Sequence, residues 1–127
     1  MITEDYVSFE VAKLLKEKGF DEPCHAYYED NSTFRESYSA YAIRNITNPC
    51  FFGNTAPTLQ MTMKWLRKVH SVFITILHRF SNNADNDINF SYVIDECNKN
   101  RQYTDGEFTS YEEAVEAAII KVLKKLP

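Results

Sequence analysis

Glycine is scarce in this chain of 127 residues, which contains only Gly19, Gly53 and Gly106. Loops that cradle a phosphate or a dinucleotide need closely spaced glycines, because only glycine lets the backbone approach the phosphate so closely. The three glycines here are far apart, and no G-x-S-x-G hydrolase turn is present. The sequence therefore excludes the common glycine-dependent motifs of nucleotide-binding proteins and hydrolases.

Long apolar runs are also lacking. The longest, Val72 to Leu77, is far too short to cross a bilayer. The acidic start, Met1 to Asp5, is not followed by the apolar region of a secretory signal. We therefore predict no membrane association and no secretion.

Cysteine and histidine are few, and they show no ligand spacing. The residues of metal-ligand type are Cys24, His25, Cys50, His70, His78 and Cys97. No two are spaced as C-x-x-C or H-x-x-x-H, and the adjacent Cys24 and His25 should point to opposite faces of a strand. The odd number of cysteines is typical of reduced thiols. We predict a cytoplasmic location, no metal site, no cofactor and no catalytic residue.

Acidic residues are missing from the middle of the chain. The net charge is −4, yet no Asp or Glu occurs between Ser37 and Ala84. The basic residues inside that stretch are Arg44, Lys64, Arg67, Lys68 and Arg79. Two interpretations remain open: the basic middle pairs with the acidic flanks after folding, or it keeps a positive face for an anionic partner.

Three helices are predicted from periodicity and capping signals. The first lies between Glu4 and Lys18, with Thr3 and Ser8 as competing N-caps and Gly19 as the stop. The second begins near Pro57, which suits a first helical position, and continues to His70. The third follows a capping box formed by Ser110 and Glu113.

Strand patterns lie between the helices. A short strand is predicted over 24–28, and segments 71–80 and 88–96 should pair as an antiparallel hairpin with a polar loop. Segment 98–106 has room for a further edge strand. Segment 34–43 shows neither the helical nor the strand periodicity, and segment 45–55 has the composition of a loop. The sequence predicts one α+β domain over 1–127, with three helices on one face of a small, mostly antiparallel sheet.

The second helix has the most unusual composition. Its residues Leu59, Thr62, Met63, Leu66, Val69 and His70 fall on one side of a helical wheel. Met61 and Trp65 widen this apolar arc to about 200°, which is more than one packing contact needs. Ile120, on the third helix, points away from that helix's apolar face. The candidate interaction surface therefore comprises Gln60, Met61, Lys64, Trp65, Arg67, Lys68 and Ile120.

Several segments of the chain resemble a known group of proteins. They are Phe9–Asp21, Ala56–Thr58, Lys64–Arg67 and Ser110–Ala118. Together they resemble small uncharacterised proteins of Bacteroides-type gut bacteria and of their phages and mobile elements. That family has no assigned activity, so the resemblance transfers no functional residue. It implies a bacterial cytoplasm and a phage or mobile-element origin.

Three functions follow as hypotheses. The leading one is a non-enzymatic accessory protein that binds an unknown protein partner or itself, as a homodimer, since the arc of the second helix is too wide for one contact. The alternative is nucleic-acid binding through the basic face of the 57–70 helix, with Trp65 as a stacking ring; the overall acidity does not favour it. A small enzyme with a Cys/His site is the third.

Overall fold

The computed structural model of the protein describes residues 2–36, 47–48, 53–80 and 88–127. The chain forms two compact units, one of Met1–Thr58 with Leu123–Pro127 and the other of Leu59–Val122. We call them unit 1 and unit 2. The single domain over 1–127 stays a prediction, because units of this size occur within one domain as well as in separate domains. None of the helices among the described residues is long and apolar enough to span a membrane.

Unit 1 begins with helix α1, Phe9–Glu17. The side chain of Ser8 accepts a hydrogen bond from the Val11 amide at 3.3 Å, so Ser8 is the N-cap and Thr3 is not. Gly19 has φ 87°, and the amide of the buried Phe20 donates to the Leu15 carbonyl at 2.9 Å. The predicted end of the first helix at Gly19 is confirmed, because closing a helix in this way requires a residue that adopts a positive φ without strain.

Unit 1 also contains a three-stranded antiparallel sheet. Its strands are β1 (Ala26–Tyr28), β2 (Phe34–Glu36) and β3 (Asn54–Thr55), in the order β2-β1-β3. The strand predicted over 24–28 is confirmed over Ala26–Tyr28, whereas β2 and β3 lie where the sequence predicts no strand. The buried Asn48 donates to the Phe20 carbonyl at 2.9 Å and accepts from the Thr55 amide at 3.0 Å. One polar side chain thus ties β3 to the end of α1.

Unit 2 contains the longer elements. They are helix α2 (Leu59–His70), strands β4 (Val72–Phe80), β5 (Ile88–Glu96) and β6 (Arg101–Phe108), and helix α3 (Tyr111–Lys125) as far as Val122. The amide of Glu113 donates to Ser110 Oγ at 3.1 Å, which confirms the predicted cap of the third helix. A short 3-10 turn, Cys97–Lys99, separates β5 from β6.

The sheet of unit 2 is antiparallel in the order β4-β5-β6. The predicted hairpin is confirmed, with a register that runs unbroken from Val72 opposite Glu96 to Phe80 opposite Ile88. One face is covered: Tyr92 and Ile94 are buried, and Lys121 of α3 lies over the rings of Tyr92 and Tyr103. The pairing of β5 with β6 shifts near Phe90, where the ladder is irregular.

The α+β class is confirmed, with helices packed against sheet. Among the described residues the strands divide between two small sheets, where the sequence predicts one. The difference arises at β2 and β3, three and two residues long, because strands this short show no alternation that a pattern could reveal.

Gly106 provides a test of the β6 geometry. Its φ is 97°, and a Cβ at this position would overlap the ring of Phe108. We expect Gly106→Ala to lower the free energy of unfolding by about 1–3 kcal/mol, since it adds backbone strain and a steric clash. Urea denaturation measures the loss.

Gly19→Ala is the matched control, because Gly19 has a similar φ of 87° and no atom within 4 Å of the added Cβ. That change should cost only the left-handed backbone penalty, about 1 kcal/mol. Equal losses for the two variants would contradict the clash with Phe108.

Candidate functional site

Helix α2 presents a basic face to solvent. Gln60, Lys64, Arg67 and Lys68 are exposed, and Met61 is 39% exposed beside them. We call these five residues the basic face of α2. The position of each agrees with its predicted place on the surface, but position alone assigns no role, and the interaction surface stays a prediction.

Trp65 does not belong to that surface. Its side chain is only 5% exposed, and its ring meets the ring of His70 edge-on, with centroids 4.8 Å apart at 75°. Val69, placed on the core side by the helical wheel, is instead 57% exposed. The buried arc of α2 is therefore rotated towards Trp65, because packing within the fold, which the wheel does not contain, decides which part of a wide apolar arc is covered.

The remaining member of the predicted surface is Ile120, which lies on α3 and is half-buried. A half-buried isoleucine is ordinary on a helix that packs on a sheet. Nothing in its exposure distinguishes it as a binding residue.

His70 stands at the end of α2 in an apolar setting. Burial lowers the pKa of its imidazole from the ordinary value of 6.5, and its Nε2 has no hydrogen-bond partner among the described atoms. The folded protein therefore holds His70 neutral where the unfolded chain would protonate it. Stability from this group is complete above about pH 6.5 and declines as the pH falls towards the lowered pKa.

The cysteines and histidines do not assemble a reactive centre among the described residues. Burial raises the pKa of the Cys24 thiol to about 11, so Cys24 is protonated at neutral pH and is a poor nucleophile. His25 Nε2 lies 3.2 Å from the Tyr6 hydroxyl. Cys97 is exposed, and Cys50 lies outside the described residues. Within the same ranges, no group of three or more His, Cys, Asp or Glu side chains is arranged to hold a metal ion.

An open depression of about 540 Å³ lies between β5 and β6 near the irregular pairing. Its lining includes Arg79, Asp105 and Glu107, so positive and negative side chains share it. The Tyr92 hydroxyl donates to Asp105 at 3.4 Å. This mixed lining favours neither an anion nor a cation, and we assign no ligand to it.

The edge of β4 that faces away from β5 is more informative about function than this depression. The amide of Cys97 donates to the Ser71 carbonyl at 3.1 Å, which makes these two residues a hydrogen-bonded pair in the register of the hairpin. Such pairs alternate along an antiparallel ladder. The backbone groups of Val72, Ile74 and Ile76 are therefore directed away from β5, and no described strand pairs with β4 on that side.

Beside this edge, several side chains of β4 are exposed on the uncovered face of the sheet. Phe73 is 45% exposed and Leu77 is 39% exposed, and Thr75 and Arg79 on the same face are exposed as well. On the opposite face, Val72 is buried. We call the outward backbone of Val72, Ile74 and Ile76 with the side chains of Phe73, Thr75, Leu77 and Arg79 the β4 edge.

The β4 edge is not among the surfaces predicted from the sequence, although the sequence carries a signal for it. Val72, Ile74 and Ile76 alternate with Phe73 and Leu77, so the strand is apolar on both faces. A strand in a sheet covered on one face should be polar on the other. Apolar residues on both faces of β4 therefore indicate a surface that binds a partner.

Comparison with known proteins adds no functional assignment. No family model, no curated protein and no solved structure matches the chain. We therefore infer the function from the geometry of the described residues.

The fluorescence of Trp65, the only tryptophan, tests the packing of α2. A protonated imidazole in contact with an indole ring quenches its emission, and the two rings here are 4.8 Å apart. Because burial lowers the pKa of His70, we expect the emission of the folded protein to fall with a midpoint below pH 6.5.

His70→Gln should abolish this titration, and His78→Gln, a change at an exposed histidine, should leave it in place. Circular dichroism confirms that each variant stays folded across the range. A titration that persists in His70→Gln would show that a group other than His70 quenches Trp65.

Proposed function

We propose that the protein is a non-enzymatic interaction protein that binds an extended polypeptide strand along the β4 edge. The observation that carries this proposal is a nine-residue strand, Val72–Phe80, with outward backbone groups and exposed apolar side chains. Edge strands bind partners in this way because the unpaired N–H and C=O groups accept another strand.

The lack of protection on β4 supports the proposal. Proteins usually defend an edge with a short strand, a proline, a lysine or a bulge. Strand β4 has no proline, lysine or acidic residue, its single arginine, Arg79, lies near its end, and its register with β5 is unbroken from Val72 to Phe80. It is much longer than the two- and three-residue strands of unit 1.

The energetics favour a strand over a small ligand. Each backbone hydrogen bond gained on docking contributes about 0.5–1.5 kcal/mol net. Burial of Phe73 and Leu77 adds about 25 cal/mol per Å² of apolar surface removed from water. These contributions are spread along a line, which matches an extended chain and does not match a compact ligand.

Nucleic-acid binding is the second candidate, because Lys64, Arg67 and Lys68 are exposed together on α2. Two observations make it weaker. The net charge is −4, and Trp65 is buried, so the proposed stacking ring is not available to a base. The cytoplasmic location and the phage or mobile-element origin rest on the family resemblance and on the pattern of cysteines, and they remain part of the proposal.

Synthetic peptides test docking at the β4 edge. The probes are labelled nine-residue peptides of alternating Val and Thr, with a terminal Glu in one version and a terminal Lys in the other. We expect both to bind, and the Glu version to bind more tightly because Arg79 is exposed at one end of the edge. Fluorescence anisotropy at protein concentrations on the order of 100 µM measures the affinity.

Ile76→Pro is the decisive variant. Its N–H is directed away from β5, so proline removes an edge donor and leaves the pairing with β5 intact. We expect peptide affinity to fall by about tenfold or more. Ile76→Ala keeps the donor and should retain most of the affinity. Unchanged binding to Ile76→Pro would overturn the proposal.

Gel retardation at low salt tests the second candidate function, nucleic-acid binding. DNA or RNA binding that weakens with salt and with Lys64→Ala, Arg67→Ala and Lys68→Ala would favour nucleic acid over a polypeptide. We expect no retardation.

A further inference from the structure

We propose that the polypeptide strand bound at the β4 edge is a short apolar stretch with acidic residues on both sides of it. This inference rests on the proposed function and names the chemistry of the partner. The apolar stretch pairs with the outward backbone of Val72, Ile74 and Ile76. Its acidic flanks lie near Arg79 at one end of the edge and near the last turn of α2 at the other.

The basic side chains at the two ends of the β4 edge are exposed and have no acidic partner in the fold. They are Lys64, Arg67 and Lys68 on α2 and Arg79 on β4. Among the described residues, no ion pair or hydrogen bond joins any of the four to an acid. Of the two interpretations of the basic middle of the chain, these observations favour a positive surface kept for an anionic partner.

The basic end of α2 leads directly into the β4 edge. Helix α2 ends at His70 and β4 begins at Val72, with only Ser71 between them. The Cα atoms of Lys68 and Val72 are therefore at most about 15 Å apart. Arg67 precedes Lys68 in the same turn of the helix. An acid just beyond the Val72 end of a bound strand lies near this pair of positive charges.

Arg79 supplies the positive charge at the other end. It lies three residues beyond Ile76, about 10 Å along the strand. Its neighbour on β5 is Asn89, so no acid is opposite it within the sheet. Asp105 and Glu107 line the depression that Arg79 also lines, but neither forms an ion pair with it. An acid that follows the paired stretch of the partner is thus attracted to this guanidinium, and no backbone pairing beyond Ile76 is needed.

The middle of the edge favours apolar side chains in the partner. Residues opposite each other in neighbouring strands pack side by side on one face of the sheet. Phe73 is 45% exposed, so its neighbour in a bound strand covers part of an aromatic ring. The stretch from Val72 to Ile76 pairs with about five partner residues. The partner segment is therefore acidic, then apolar, then acidic again.

Two other occupants of the edge fit less well. A second copy of this chain offers no acid from β4 to lie against Arg79, so the homodimer stays a prediction. A nucleic acid would neutralise the basic side chains but would leave the outward N–H and C=O groups of β4 without a peptide partner.

Three peptides of equal length test the acidic flanks. Each has the core Val-Thr-Val-Thr-Val, with two Glu, two Ser or two Lys residues on both sides. We expect the Glu peptide to bind the full chain about tenfold more tightly than the Ser peptide, and the Lys peptide to bind about tenfold more weakly. Fluorescence anisotropy measures the affinities. The differences should shrink between about 0.05 M and about 0.5 M NaCl, because salt screens exposed charges.

Charge reversal at each end tests which basic residues the flanks use. Arg79→Glu, and Arg67→Glu combined with Lys68→Glu, should each weaken the Glu peptide about fivefold or more and strengthen the Lys peptide. The Ser peptide should bind as before, which also shows that the variants are folded. Lys99→Glu is the matched control, because Lys99 is exposed in the turn between β5 and β6, away from the outer side of β4. It should leave all three affinities close to those of the wild type.

The outcomes separate this inference from the proposed function. Equal affinities for the three peptides, or an unchanged preference in both charge-reversal proteins, would overturn the acidic partner. If Ile76→Pro still weakens the Ser peptide, strand docking at the β4 edge survives. If none of the peptides binds, the proposed function fails and the inference fails with it. Retardation of DNA or RNA that charge reversal abolishes, with no preference for the Glu peptide, would assign the basic residues to nucleic acid instead.

Discussion

The pairing of β4 with β5 determines which groups of unit 2 remain available to a partner. Because the register runs without a break from Val72 to Phe80, alternate backbone groups of β4 are satisfied by β5 and the others are directed outward. The same alternation places Val72 in the covered face and leaves Phe73 and Leu77 partly exposed on the other face. A bulge in β4 would have interrupted both patterns. The unbroken ladder therefore produces the open backbone edge and the apolar side chains beside it together.

The burial of Trp65 assigns this side chain to the packing of α2 and removes it from the predicted binding surface. The sequence places aromatic, sulfur-containing and basic side chains on one helix, which suggests a composite binding surface. In the fold, the ring of Trp65 packs against His70, where burial lowers the pKa of the imidazole, and the basic face and Val69 stay exposed. A helix with charged residues on its solvent side is ordinary. The basic face alone therefore supports a functional role less strongly than the β4 edge does.

The sequence predicts those parts of the fold whose signals are local. The caps at Ser8, Gly19 and Ser110 fix helix ends through backbone hydrogen bonds within a few residues, and the alternation in β5 identifies its buried face. β3 is not predictable in this way, because it is held by Asn48 and by pairing with β1. The apolar residues on both faces of β4 are visible in the sequence, but which strand has no described neighbour depends on the strand order, which no local pattern contains. Hence the class is predictable from the chain, while the candidate site is predictable only in part.

The two edges of the unit 2 sheet differ in the chemistry of their exposed side chains. Charged β6 is well suited to remain in water, whereas Phe73 and Leu77 on β4 are 45% and 39% exposed, and the exposed part of an apolar side chain contributes no burial energy. Threonine at both positions would keep the strand propensity and remove the apolar surface. A surface that covers them would bury the apolar area that is still exposed. Among the described residues no strand pairs with β4 on its outer side, and this is the place where the proposed polypeptide strand would add.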